Sequence, residues 1–361
     1  MLKRKIRRAL VGALEMSGVL PEIRRHGTYD RGVILTYHSI SEPTEENERY
    51  RSADIAISPA IFELQMRFLL KHYSVVPLGA LVDSLLTGRA FPPRGVAITF
   101  DDGYRDNFTT ALPILTRLGI PATVFVTTDA IGDGWAFWVS RLRAILHDAP
   151  QSSLTVEGIG EIDLSAPSIR RREIKRVTRL LKSLGRMERK GALDRLLEAS
   201  GLPTPLPEST TWMMTWDEVR AMANAGIEIG AHTRSHPILT TLSDLEVIDE
   251  VTVSRDRVQT EIGGPVRHFA FPNGAAGVNF DDRVSDLVRR SGYSSASTSV
   301  RGAIRAESHP FQIPRLSISE RHKLDGLAFD LERYRLFSRK TGASIPRRQG
   351  DGAAQPTVSR P

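Results

Sequence analysis

The sequence predicts an α/β protein, a barrel of strands under helical cover rather than an open sheet. Three observations predict it. Strand-like runs alternate with helical segments along residues 33–318. The runs are apolar on both faces, as parallel strands covered by helices must be. About seven such units follow one another in a single chain.

The elements follow in order. Val33 to His38 is a short, apolar, β-prone run. Ser58 and Pro59 are a cap and a first-turn residue, opening a helix to Tyr73 that buries Ile61, Leu64, Phe68 and Leu69. Val75 to Leu78 reads as a short strand and Leu81 to Leu86 as a brief helix. Gly95 to Phe100 is a continuous apolar strand that stops at Asp101-Asp102-Gly103. A helix from Asn107 to Leu118 closes on Gly119 as its C-cap. Ala122 to Thr127 is the next strand, and the helix Trp216 to Ala225 leads into the strand Ile227 to His232. Ser243 and Glu246 form a capping box for a helix that runs to Gly263. The strand His268 to Phe271, the helix Asp282 to Ser291 and the strands Ser294 to Ser299 and Gln312 to Ile318 complete the series.

Between Gly134 and Pro207 the alternation stops. Trp138 to His147 is helical, Leu154 to Leu164 suggests a hairpin, and Ile169 to Ala199 is charged and helical, with Ile174, Val177, Leu180 and Leu181 on one face. This stretch, 135–207, reads as a mostly helical insertion between two units of a domain spanning 32–320.

The chain has 361 residues, 40% hydrophobic and 25% charged, which excludes a fibre, wholesale disorder and a multi-span membrane protein. With no Cys, disulfide scaffolds, thiolate metal sites and a Cys nucleophile are excluded too. The net charge of +7 sits at the ends: residues 1–31 carry +5 and residues 331–361 another +5, leaving −3 for 32–330. A nucleic-acid-binding body would keep its basic charge on the folded face, so no nucleic-acid partner is expected. Within 1–31, Ile6, Leu10, Ala13 and Leu14 make one apolar helical stripe flanked by Lys3, Lys5, Arg7 and Arg8. Such a helix either touches an anionic membrane surface through residues 1–25 or packs on the domain. Neither a spanning run nor a cleavable signal pattern is evident, so the expected location is cytoplasmic or peripheral at the inner membrane face, with export by another route left open. Residues 338–361 read as a disordered basic tail.

Chemistry concentrates at strand ends, where a barrel keeps its active site. Asp101 and Asp102 are adjacent carboxylates that point in different directions, so one can ligate a metal while the other takes a proton. Alone, such a pair is more often a helix cap and a solvated turn. His232 and His236, after another strand, can bind one cation from a single turn. With Asp102 they supply two nitrogens and one oxygen and leave positions open for water and substrate. Asp101 would then lie beside that water, which is the layout of a metal-assisted hydrolase.

Thr99-Phe-Asp-Asp-Gly103 and His232-Thr-x-x-His236 resemble the first two motifs of the polysaccharide deacetylases, the carbohydrate esterase family 4 or nodulation-deacetylase-type domain. Ile34-Leu-Thr-Tyr-His38, Gly119-Ile-Pro-Ala-Thr-Val-Phe125, Gly226-Ile-Glu-Ile-Gly-Ala-His232 and Phe269-Ala-Phe-Pro-Asn-Gly274 resemble family segments in the same order. The resemblance implies a distorted (β/α)7 barrel that removes N-acetyl groups from an amino-sugar polymer or oligosaccharide. It implies Asp101 as general base, Asp102, His232 and His236 as ligands of one divalent metal, with Zn²⁺ expected, and the Asn273 backbone N–H as oxyanion donor. The third motif departs from the family: Ala270 stands where an Arg normally steadies the base, and Arg315 in Ile313-Pro-Arg-Leu316 is the candidate replacement. The family's Asp-x-x-Asp-Trp motif is absent and its late Leu-x-His motif is not evident, so His38 and His309 are the candidates for general acid. Two other readings compete: a metal-dependent amidase for a small non-sugar amide, and a non-catalytic protein that binds glycan or a membrane surface. The intact Asp101, Asp102, His232 and His236 set argues against the non-catalytic one.

Overall fold

A computed structural model describes residues 30–336, apart from 43, 134–136, 205–211, 320–321 and 323, together with isolated positions 13, 17–19 and 22. The basic helix expected within 1–31 lies almost wholly outside the described residues, and the tail expected over 338–361 lies entirely outside them. Seven parallel strands close on themselves in chain order: β1 (Arg31–Tyr37), β2 (Gly95–Phe100), β3 (Ala122–Val126), β4 (Glu228–Ala231), β5 (His268–Ala270), β6 (Ser295–Arg301) and β7 (Ile313–Ser317), which pairs back with β1. The barrel expectation is borne out. The barrel is uneven: β4 and β5 pair only at Ala231 and Phe269, and the β6–β7 register shifts between Ser297 and Arg301. Ile304–Arg305 adds an antiparallel strand at the N-terminal end of β1, and Ser74–Val75 a parallel one to β2.

The longer helices are α1 (Pro59–His72), α2 (Leu78–Thr87), α3 (Leu112–Leu118), α4 (Trp138–Asp148), α5 (Pro167–Lys182), α6 (Arg186–Ser200), α7 (Trp216–Asn224), α8 (Asp244–Ile262), α9 (Asp282–Arg290) and α10 (Leu324–Leu336). Strand alternation sorts the apolar residues into two cores. Val33, Leu35, Tyr37, Ile98, Phe100 and Val124 join the layer shared with the outer helices. Ile34, Ala97, Phe125, Ala270 and Ile313 belong to a separate cluster, closed by Leu81 and Leu85 of α2. The positions above that plug are Thr36, Thr99, Asp101 and Arg315, all buried and all polar or charged.

Three elements depart from the sequence expectation. The helix expected over 107–118 opens as a π-type turn, Asn107–Ala111, before α3. Pro113 near the start of α3 cannot donate to the preceding turn, which disfavours one regular helix through it. The single helical stretch 169–199 is two helices, α5 and α6, parted at Ser183–Gly185, where Gly185 caps α6. The core also runs past residue 320, because α10 buries Leu327 and Leu331 in the main cluster; α10 was not read in the sequence. The insertion has its own core, formed by residues such as Leu142, Ile145, Ile162, Val177, Leu181 and Leu196.

Gly230 of β4 sets the spacing inside the barrel. A Cβ there would stand 2.4 Å from Phe125 Cδ1 and 2.9 Å from the His268 carbonyl oxygen, and the backbone atom cannot yield. Gly230→Ala is therefore expected to cost about 1–3 kcal/mol, the usual penalty for overpacking. Urea unfolding checks this: the midpoint should fall with an unchanged slope.

Candidate active site

Most of the candidate site residues lie at the C-terminal ends of barrel strands. Asp101 and Asp102 follow β2, His232 follows β4, Asn273 lies beyond β5, and Arg315 is within β7. The loops that carry them bend through left-handed backbone: φ is 76° at Asp102, 65° at Thr233, 56° at His236 and 59° at Asn273. Of five non-glycine residues with positive φ among the described ones, these are four. Such conformations persist only where surrounding contacts fix them. Here Gly103 continues the turn at φ 88°, and the Thr233 hydroxyl accepts from the His236 N–H at 3.0 Å. Trp138 of the insertion donates to the His236 carbonyl at 3.1 Å.

Asp101 is fixed by Arg315. The guanidinium donates Nη1 to Oδ1 at 2.8 Å and Nη2 to Oδ2 at 2.7 Å, a bidentate pair with both side chains buried. Arg315 Nε donates to the Thr298 carbonyl at 2.9 Å, and the guanidinium lies 5.6 Å from the Phe125 ring centroid. Burial pushes the Asp101 carboxyl up, but Arg315, with help from the charge of His232, outweighs this and holds it below its ordinary value.

Asp102 Oδ1 lies 3.4 Å from His232 Nε2 and 3.4 Å from His236 Nε2. One ligand atom from each of the three residues lies within 4.8 Å of the others. His232 Nδ1 is 2.7 Å from the Ala270 carbonyl, which can only accept, so Nδ1 carries the proton. Burial disfavours a charged His232 ring, but Asp102 and Asp101 outweigh it and raise its pKa. A proton or a metal ion between Nε2 and Oδ1 satisfies the 3.4 Å approach, and bonds of about 2 Å to a shared ion fit that separation. The donor set of one carboxylate and two imidazoles therefore suits a divalent metal, and the carbonyl behind His232 is the outer partner that orients such a ligand.

Asn273 has its Oδ1 engaged by Lys182 Nζ, while no described group accepts from its backbone N–H. Gly274 next to it is obligatory, since a Cβ would stand 2.4 Å from the Ser299 nitrogen. His38, after β1, lines the same cavity and has a buried Nδ1 without a partner among the described groups. His309 is exposed and sits in the β6–β7 connection, beside the start of β6 rather than in the cavity.

The cavity measures about 570 Å³ and holds Asp101, Asp102, His232, His236, Asn273 and Arg315. Its opposite wall comes from the insertion: Phe137, Arg143, Lys175, Arg179 and Lys182 face in. The sequence reading did not assign these residues to the site. The available signal was the spacing of Lys175, Arg179 and Lys182, which falls on one helical face, but charged helical faces usually meet only water.

A family model for polysaccharide deacetylase matches residues 88–296. The chain belongs to the polysaccharide deacetylase family. The Bacillus subtilis (strain 168) protein YxkH, named for the same family, is 34% identical over 102 residues, 27% of this chain and 33% of that one. The match thus spans a third of that relative's length. Among solved structures, Streptococcus pyogenes deacetylase PplD in complex with acetate is similar at a TM-score of 0.57 and 16% identity, over 84% of this chain and 99% of that one. IcaB from Ammonifex degensii is similar at 0.55 and 17%, over 84% and 97%. At these identities the two structures speak to the fold alone.

The Asp101–Arg315 pair yields a stability test. Arg315→Met leaves a buried carboxylate without its counter-charge and should cost about 3–5 kcal/mol. Adding Asp101→Asn removes the orphaned charge and should restore part of the loss. A double-mutant cycle in urea checks it, and additive losses would show that the two groups are not coupled.

Proposed function

We propose that the protein is a metal-dependent hydrolase that removes N-acetyl groups from an amino-sugar polymer or oligosaccharide. The observation that carries this reading is the division of labour between the adjacent carboxylates. Asp102 faces two imidazoles as a ligand set, while Asp101 is held by Arg315 beside it and turned to the same cavity. Family membership supports the reaction class.

Asp102, His232 and His236 would hold the ion, with Zn²⁺ the best match to a tetrahedral oxygen and nitrogen donor set. When bound, such an ion supplies Lewis acidity, polarising an acyl carbonyl and acidifying a water. Asp101 accepts the proton of the attacking water. Arg315 keeps that carboxylate ionised and aimed. The Asn273 N–H, fixed by its left-handed backbone, donates to the oxyanion. His38 protonates the departing nitrogen, which leaves as the free amine while the acyl group departs as acetate.

Acetate release from N-acetylchitooligosaccharides by the zinc-loaded protein tests the reading, with small N-acetyl amides assayed in parallel. Chelation should abolish turnover and added metal restore it. His232→Ala should lose the metal. Asp101→Asn should keep the metal, by elemental analysis, while kcat falls by about 10²–10⁴-fold, the usual worth of a general base. Near-full turnover in Asp101→Asn rejects its role, and turnover of small amides alone selects the amidase alternative.

A further inference from the structure

The insertion wall of the cavity carries more positive charge than the protein neutralises. Of the carboxylates lining the cavity, Asp54 pairs with Lys175, Asp101 with Arg315, and Asp102 with the two histidines. Arg143, Arg179 and Lys182 have no carboxylate within salt-bridge distance among the described residues. Arg143 is half-buried and donates to the Glu48 carbonyl. Lys182, also half-buried, donates to the Asn273 side chain, and Arg179 donates only to the Lys175 carbonyl. Burial pulls both Arg143 and Lys182 below their ordinary pKa, outweighing the carboxylates that act on them from beyond pairing distance, Glu48 and Asp54 for Arg143 and Asp102 for Lys182. Several cations elsewhere on α5 are engaged: Arg176 pairs with Glu173 at 2.7 Å, and Arg170 donates to the carbonyls of His147 and Ala149.

We propose that this wall binds an oxyanion, a phosphate or a carboxylate, carried by the glycan away from the reacting amide. The proposal rests on the reading of the cavity as a glycan deacetylase site. A neutral amino sugar offers hydroxyl and amide groups, which call for neutral partners and leave three cations uncompensated. A glycan bearing an oxyanion compensates them. The placement also fixes where the anion sits. Lys182 reaches Asn273 at the reacting end, and Arg179 and Lys175 lie one and two turns further along the same face of α5. Arg179 lies three residues, about 4.5 Å of helix, beyond Lys182, so the wall reads a group on the substrate away from the reacting amide. Arginine suits this role, because its planar fork matches phosphate and carboxylate oxygens.

Calorimetry on the full-length, zinc-loaded protein tests this. The probes are a neutral N-acetylchitooligosaccharide, its 1-phosphate, and an oligosaccharide alternating N-acetylhexosamine with hexuronate. One or both anionic probes should bind at least about tenfold more tightly than the neutral one at low salt, the worth of one charge-assisted pair, with the gap closing as salt rises. The tighter of the two identifies the anion. Arg179→Glu, on an exposed side chain, should erase the preference, and Arg179→Lys should retain most of it. Equal affinity for neutral and anionic probes overturns the proposal. So does a preference that survives Arg179→Glu. Acetate release, measured alongside, tests the underlying reading separately: an intact preference without acetate from any probe rejects the deacetylase and leaves the anion site standing.

Discussion

Two adjacent buried carboxylates are the constraint around which this molecule is arranged. Asp101 and Asp102 are each at most 5% exposed, and an ionised carboxylate in such a place needs a positive partner. The two receive different partners because the turn at Asp102 and Gly103 points them apart. Asp101 is met from within the chain by Arg315, 214 residues away. That guanidinium touches Asp101 after β2, Phe125 of β3 and the Thr298 carbonyl of β6, so a side chain of β7 joins three other parts of the barrel. Asp102 meets two imidazoles, each presenting Nε2 to it at 3.4 Å. Strand closure and site electrostatics are thus one problem with one solution.

The insertion is bound into that solution. Arg186 of α6 and Arg234 of the His232–His236 loop both pair with Asp129, at 3.0 and 3.2 Å. In the same loop, Ser235 donates its N–H and its hydroxyl to Glu250 of α8, at 2.8 and 2.6 Å. Trp138 of α4 holds the His236 carbonyl. The strained backbone of the His232–His236 loop is therefore held by the insertion on one side and the barrel helices on the other. A segment that reads as an appendage in the sequence positions His236 and completes the cavity.

What could be read in the sequence follows from how local each signal is. Most of the strands were legible as short apolar runs bounded by their own punctuation, whereas β6, Ser295–Arg301, is mostly Ser and Thr and was legible from its place in the alternation. Asp101-Asp102-Gly103 and His232 to His236 were legible because the chemistry lies within one turn of chain. Arg315 was legible only as a missing charge: Ala270 left a buried carboxylate to be compensated, and an arginine stood in the last strand. Lys182, Arg143 and Arg179 were not assigned to the site, since periodicity shows that they share a side of the insertion and nothing about what faces it. The π-type turn before α3 and the break at Gly185 passed as helix because one proline or glycine is a weak signal inside a strong amphipathic pattern. α10 was missed because no strand follows it to continue the alternation.

Ala270 stands where the family resemblance leads one to expect an Arg, and the structure shows what that position contributes here. Its carbonyl accepts from His232 Nδ1 at 2.7 Å, and any residue provides a carbonyl. Its side chain belongs to the packed cluster beneath the site, with Ile34, Phe125 and Ile313. A small side chain there fits that plug, while the cation arrives from β7 at the layer above. A barrel permits such a move because every strand end converges on the same few ångströms of space. The counter-charge for Asp101 is fixed by where it must act, whereas the strand that supplies it is free. Sequence motifs record the supplier, and closed-barrel geometry records the requirement.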